Sequence, residues 1–92
     1  MNEYEFARLV ISKSGHDKGR VYAIKESDED NVYLIDGKFR KINNPKKKNK
    51  KHIQLTNYIS DELIKKNNKK KLHDEDVKKI ISKFEKEHFH LA

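Results

Sequence analysis

The chain has no cysteine and no tryptophan, and only one proline and three glycines among its 92 residues. Without cysteine it can form no disulfide, no thiolate metal site and no thiol nucleophile. No apolar run approaches the length of a bilayer span, which argues against a transmembrane helix. The opening residues 1–5 are acidic and lack the order of charge followed by apolar stretch that a secretory signal has, so we expect a cytoplasmic protein.

Charge is the dominant feature of what is present. Charged residues make up 40% of the chain, and Lys plus Arg outnumber Asp plus Glu by 22 to 15, for a net charge of +7. The apolar fraction of 34% still suffices for one small core. A basic chain of this kind favours a polyanionic partner, nucleic acid before membrane.

The basic excess is confined to one central stretch. Residues 1–36 carry a net charge of −3, residues 37–56 carry +8 with no acid, and residues 57–92 carry +2. Such localisation favours a binding surface, with a solvated loop tip as the alternative.

The first half of the chain predicts short strands separated by turns. Apolar and β-branched runs bounded by Gly, Pro, Asn and Asp predict five of them, at Phe6–Lys13, Arg20–Lys25, Val32–Ile35, Lys38–Ile42 and His52–Thr56. Five short strands with tight turns suggest a mainly β fold, a small closed antiparallel barrel over residues 1–58.

Asp36-Gly37 predicts a two-residue type I′ hairpin between the third and fourth strands. This hairpin would pair Leu34 with Phe39, which makes Phe39 a core residue, and Tyr33 with Arg40. Residues 59–92 predict a helical extension. Ser60 is the expected helix cap, and an apolar stripe further along favours packing on the same domain over docking a partner; the stripe is Val77, Ile80, Ile81 and Phe84.

Three groups of residues are candidates for binding a nucleic acid. A predicted loop carries Lys46, Lys47, Lys48, Lys50 and Lys51, whose mutual repulsion a phosphate backbone would relieve; a mobile solvated loop is the alternative. Tyr33, sharing a face with Lys38 and Arg40, could stack on an unpaired base, or form an ordinary Tyr–Arg surface pair.

The third group lies in the turn over residues 14–19. His16, Lys18 and Arg20 could approach RNA there, while Gly15 and Gly19 let the backbone come close. The alternative is that the glycines serve turn geometry alone.

We expect no catalytic residue, no metal site and no cofactor. The chain has no glycine-rich phosphate loop, nucleophile elbow or H-E-x-x-H spacing. His88-Phe89-His90 lacks a third convergent ligand. The acidic clusters at 28–30 and 74–76 are explained by a turn and a helix start.

The segment Leu9–Val21, with its Lys18-Gly19 turn between two strands, resembles a KOW motif. The continuation through Asp36-Gly37-Lys38-Phe39-Arg40-Lys41 and Asn44-Pro45-Lys46-Lys47-Lys48 resembles small KOW-domain RNA-binding proteins, relatives of archaeal- and eukaryotic-type large-subunit ribosomal proteins. The resemblance covers about residues 6–57. It implies an SH3-like barrel that binds structured RNA without catalysis, with Gly19 at the motif glycine and Lys18 at the basic residue before it.

The favoured hypothesis is therefore a non-enzymatic RNA-binding protein, ribosomal or ribosome-associated. Its lysine-rich loop would contact ribosomal RNA phosphates, and neighbouring ribosomal proteins would be further partners; no membrane and no small-molecule substrate are expected. The alternative is a protein-interaction module of the transcription or translation machinery, using the barrel or the C-terminal helix. A third hypothesis is a nuclear protein in which Pro45-Lys46-Lys47-Lys48 is an import signal.

Overall fold

The computed structural model describes residues 3–88, which form one five-stranded antiparallel sheet and two helices. The strands are β1 (Arg8–Ser12), β2 (Val21–Ser27), β3 (Asn31–Ile35), β4 (Lys46–Asn49) and β5 (Ile53–Ile59), and a short 3₁₀ turn at Lys50–His52 joins the last two. The helices are α1 (Asp61–Asn68) and α2 (Asp74–His88). The sheet order is β4-β3-β2-β1-β5, so β1, β2 and β3 are internal and β4 and β5 lie at the edges.

Both faces of the sheet carry buried apolar side chains, because strand residues alternate between two apolar clusters. The first cluster takes Leu9, Val21 and Ala23 from the sheet and joins them to the buried faces of both helices. The second takes the intervening strand residues, with no member from either helix. Its buried members are Val10, Tyr22, Ile24, Val32, Leu34 and Ile53. β2 therefore begins with four consecutive buried residues, the pattern of a strand packed on both sides.

The structure confirms a five-stranded antiparallel sheet and the C-terminal helices, but the sheet is open and a closed barrel is not confirmed. β1, β2, β3 and β5 fall close to their predicted positions. Register irregularities interrupt the β1–β5 pairing between Arg8 and Val10 and the β2–β3 pairing between Ile24 and Glu26. Such bulges bend a strand and increase its local twist.

The predicted fourth strand and its hairpin are wrong. Residues 38–42 are not a strand, and β3 pairs instead with β4, with Leu34 opposite Lys46 and Val32 opposite Lys48. The segment predicted to be a lysine loop is thus largely an edge strand. Pairing with β3, not apolar content, makes it a strand.

Both helices begin as the sequence predicts. Ser60 caps α1, since its hydroxyl accepts the Leu63 amide at 3.2 Å. The predicted stripe of α2 is buried in the first cluster, so packing on the same domain is confirmed; it comprises Val77, Ile80, Ile81 and Phe84. The predicted division after residue 58 falls at the end of β5 and stays a prediction.

Candidate nucleic-acid interface

A buried carboxylate organises the centre of the candidate interface. Asp17 lies in the glycine turn (residues 13–20) between β1 and β2 and is 6% exposed. Four side chains donate to it at 2.8 to 2.9 Å: the hydroxyls of Ser12 and Tyr22, and the ammonium groups of Lys46 and Lys48. A single buried anion therefore holds two cations from the edge strand against the turn.

Asp17 is ionised wherever the protein is folded near neutral pH. Burial would raise the pKa of its carboxyl, but the hydrogen bonds from Lys48, Lys46, Tyr22 and Ser12 together hold that pKa well below its usual range. Burial and the bond to Asp17 raise the pKa of the Tyr22 hydroxyl, which stays a donor. The group of one carboxylate and two ammoniums carries a net positive charge.

Alternation along β4 divides the predicted lysines between two faces. Lys46 and Lys48 pair with Leu34 and Val32 and so face the second cluster and Asp17, whereas Lys47 pairs with Tyr33 on the other face. The Lys48 side chain is 10% exposed and also donates to the Ser14 carbonyl at 2.9 Å.

The lysines of the 3₁₀ turn differ from one another. The Lys50 ammonium donates to the Glu29 carbonyl at 2.9 Å and lies 4.4 Å from the centroid of the Tyr4 ring. Lys51, like Lys47, is exposed and forms no ion pair within residues 3–88. The five predicted lysines thus have different roles: two stabilise the fold around Asp17, one is bound to backbone, and two are exposed with no ion pair in the described part of the chain.

The segment of residues 36–42 (the 36–42 loop) is held by its own first residue. The Asp36 carboxylate accepts the backbone amides of Lys38, Phe39 and Arg40 at 2.8 to 2.9 Å. The Asp36 amide in turn donates to the Arg40 carbonyl at 2.8 Å. Because one side chain satisfies three consecutive amides, these residues form a compact turn in place of the predicted two-residue hairpin.

The 36–42 loop is also fixed to the start of α2. Gly37 has a φ of +78°, and its backbone lies so close to the Asp74 carbonyl that a Cβ atom would overlap it. The Ile42 amide donates to the Asp74 carboxylate at 2.7 Å. Anchored at both ends, the loop presents its middle residues to solvent.

Phe39 is exposed, and its prediction as a core residue is wrong. The residue is 61% exposed, and no other large hydrophobic residue among residues 3–88 is exposed. The Arg20 guanidinium lies 4.6 Å, and the Lys38 ammonium 5.0 Å, from its ring centroid. The prediction failed because it assumed that Phe39 pairs with Leu34. In the structure Lys46 lies opposite Leu34.

Phe39 borders a cleft that brings together predicted site residues from three separate segments. His16 and Arg20 come from the glycine turn, Arg40 from the 36–42 loop and Lys46 from β4. Three of these side chains are permanent cations, and Asp17 is the only acid in the lining, so the cleft carries an excess of positive charge. We call it the Phe39 cleft; Tyr22 completes its lining. Phe39 and Arg20 also line a second cleft, together with Asp36, Lys38 and α2 residues that include Lys78 and Glu85.

Tyr33 lies elsewhere, and its predicted face with Lys38 and Arg40 is wrong. Its neighbour across the sheet is Lys47, and its hydroxyl donates to Asp28 at 2.8 Å. That bond raises the pKa of the Tyr33 hydroxyl and lowers the pKa of the Asp28 carboxyl.

The glycine turn has the geometry that its sequence predicts. Gly15 and Gly19 have φ values of +87° and +90°, which disfavour other residues. His16, Lys18 and Arg20 are exposed around them.

No group of three metal-ligating side chains occurs within residues 3–88. The His88 Nδ1–H donates to the Phe84 carbonyl at 2.9 Å, while Phe89 and His90 lie outside the described residues. Neither helix in that range is long and apolar enough to cross a membrane.

Sequence reasoning missed Asp17 and Phe39 as site residues. For Phe39 the available signal was its position between Lys38 and Arg40, outside any apolar alternation. For Asp17 a spacing of five residues from both Ser12 and Tyr22 gives no periodic signal.

Comparison of the chain with protein-family models and with curated proteins finds no match.

Proposed function

We propose that the protein is a non-enzymatic, cytoplasmic RNA-binding protein that acts on or with the ribosome. The observation that carries the proposal is the Phe39 cleft, which cations from three chain segments line together with an exposed aromatic ring. Lys38 adds a fourth cation at the ring. Clustered cations release counterions when they neutralise phosphates, and this gain supplies most of the affinity of such surfaces.

The KOW resemblance supports the same function from the sequence. The motif segment Leu9–Val21 corresponds to β1, the glycine turn and the first residue of β2. The second apolar cluster has no helix over it, yet its members are at most 5% exposed. A sheet that curls over its own side chains, as in an SH3-like barrel, would explain this burial.

The lysine-rich segment takes a narrower part in this proposal than the sequence predicts. Lys47 and Lys51 are free to bind phosphates, and Lys46 borders the cleft while bonded to Asp17. Lysine binds phosphate as a point charge, so these contacts would position the RNA without reading its bases. Arg20 and Arg40 can bind a phosphate through two parallel hydrogen bonds each.

The proposal is tested by removing charge at the cleft and at a matched position. We expect Lys38→Gln/Arg40→Gln to weaken binding to a ribosomal RNA fragment about tenfold or more, as loss of two phosphate contacts should. Lys69→Gln/Lys71→Gln removes the same charge from exposed positions between α1 and α2 and should change affinity far less. Equal losses in the two variants would show that only overall charge matters and would contradict the proposed interface.

Binding in cells tests the choice of RNA. Crosslinking followed by sequencing of the bound RNA, together with co-sedimentation with ribosomal particles, should enrich ribosomal RNA at a defined site. Absence of any enrichment over background would contradict a ribosomal function.

A further inference from the structure

We propose that Phe39 is a stacking platform for one unpaired base of the bound RNA, and that Arg20 and Lys38 bind the phosphates beside that base. The inference rests on the proposed RNA-binding function and adds to it the class of RNA that is recognised. Phe39 takes the place of Tyr33 as the proposed aromatic contact, because the Tyr33 hydroxyl is hydrogen-bonded to Asp28.

The first argument is that Phe39 is held out of the core by rigid anchors. The three hydrogen bonds from backbone amides to the Asp36 carboxylate fix the turn on one side, and the close contact of Gly37 with Asp74 fixes it against α2. An exposed aromatic side chain in a fixed loop loses little conformational freedom when a ligand binds, and this preorganisation favours affinity.

The second argument concerns the charges beside the ring. An apolar protein surface that covered Phe39 would also desolvate the Arg20 guanidinium and the Lys38 ammonium, which form no ion pair within residues 3–88. Burial of unpaired charges is costly. A nucleotide supplies both complements at once, a flat π surface for the ring and a phosphate for the cations.

The third argument selects unpaired nucleotides. Bases inside a duplex are stacked on both sides, so only a base in a loop, bulge or end can lie on a protein ring. Lys38 is exposed, and its ammonium can leave the ring for the neighbouring phosphate when the base arrives. Arg20 can remain against the ring and still bind a phosphate, since a guanidinium stacks on an aromatic face through its plane and donates through the N–H groups at its edge.

The experiment uses the full chain and two RNA probes, a hairpin with an adenosine-rich loop and a blunt duplex of the same stem. We expect Phe39→Ala to weaken binding to the hairpin about tenfold, within the range for one stacked base, and to leave duplex binding unchanged. The slope of log K against log salt should not change, because no charge is removed. Phe39→Trp should retain the affinity, and the melting temperature of each variant confirms that it is folded.

Fluorescence gives an independent readout, because the chain has no tryptophan of its own. The tryptophan of Phe39→Trp should be quenched by the hairpin as the base stacks on it. Tyr33→Trp places the tryptophan outside the Phe39 cleft and should be quenched far less.

The outcomes separate this inference from the function on which it rests. Salt-sensitive binding of both probes by the unaltered protein, with no effect of Phe39→Ala, would overturn the stacking site and leave the RNA-binding function standing. Equal losses on hairpin and duplex would also overturn it. If the unaltered protein bound neither probe, both proposals would fail. If Phe39→Ala instead abolished a protein contact and left RNA binding intact, Phe39 would belong to a protein interface.

Discussion

Replacement of Lys48 by alanine should destabilise the fold, whereas the same change at Lys47 should not. Lys48 donates to the Asp17 carboxylate at 2.8 Å and to the Ser14 carbonyl at 2.9 Å, and its side chain is 10% exposed. A hydrogen bond to a charged group contributes about 1.5–3 kcal/mol, and loss of one partner of a buried pair costs more. Because Lys46 remains bonded to Asp17, we expect a loss of about 2 kcal/mol in the free energy of unfolding.

Thermal and urea unfolding followed by circular dichroism measure this loss. For a domain of this size, about 2 kcal/mol lowers the melting temperature by roughly 8–16 °C. Lys47→Ala is the matched control on the same strand; its side chain is exposed, and its effect should stay within about 0.5 kcal/mol. If the two variants were equally stable, the assignment of Lys48 to the buried Asp17 group would be refuted.

Three further changes test the fold around the site. Gly37→Ala should lower the free energy of unfolding by about 1–3 kcal/mol in urea unfolding, because its φ is positive and a Cβ would overlap Asp74; an effect below about 0.5 kcal/mol would contradict this contact. The lowered pKa of Asp17 means that the unfolded chain binds more protons in acid. Its stabilising effect is therefore complete above the ordinary carboxyl pKa of 3.8 and declines as pH falls below it, and Asp17→Asn should flatten this part of the curve of unfolding free energy against pH. Ile80→Glu places a charge in the first cluster and should abolish cooperative thermal unfolding; a folded variant would show that the stripe is not core.

Periodicity predicted those parts of the fold in which apolar residues face a core. The α2 stripe, the Ser60 cap and four of the five strands follow from patterns within short windows. The glycine turn follows from the positive φ of Gly15 and Gly19. In each case the signal and the structure it produces lie within a few residues.

The rest depended on contacts between residues distant in sequence. β4 has three lysines in four residues and no apolar pattern; it is a strand because β3 pairs with it and because Asp17 neutralises its inward side chains. The Asp36-Gly37 pair is typical of a hairpin, but the Asp36 carboxylate binds three amides of its own turn. The resulting loop exposes Phe39. One misassigned turn therefore changed both the predicted core and the predicted aromatic contact.

The salt dependence of RNA binding tests the central claim most directly. Seven cations of the candidate interface form no ion pair within residues 3–88: Lys18, Arg20, Lys38, Arg40, Lys47, Lys50 and Lys51. If about five phosphates are neutralised, log K against log salt should fall with a slope of about −3.5 for a single-stranded probe and about −4.5 for a duplex. An affinity that does not change with salt would contradict the claim that these cations bind an RNA backbone.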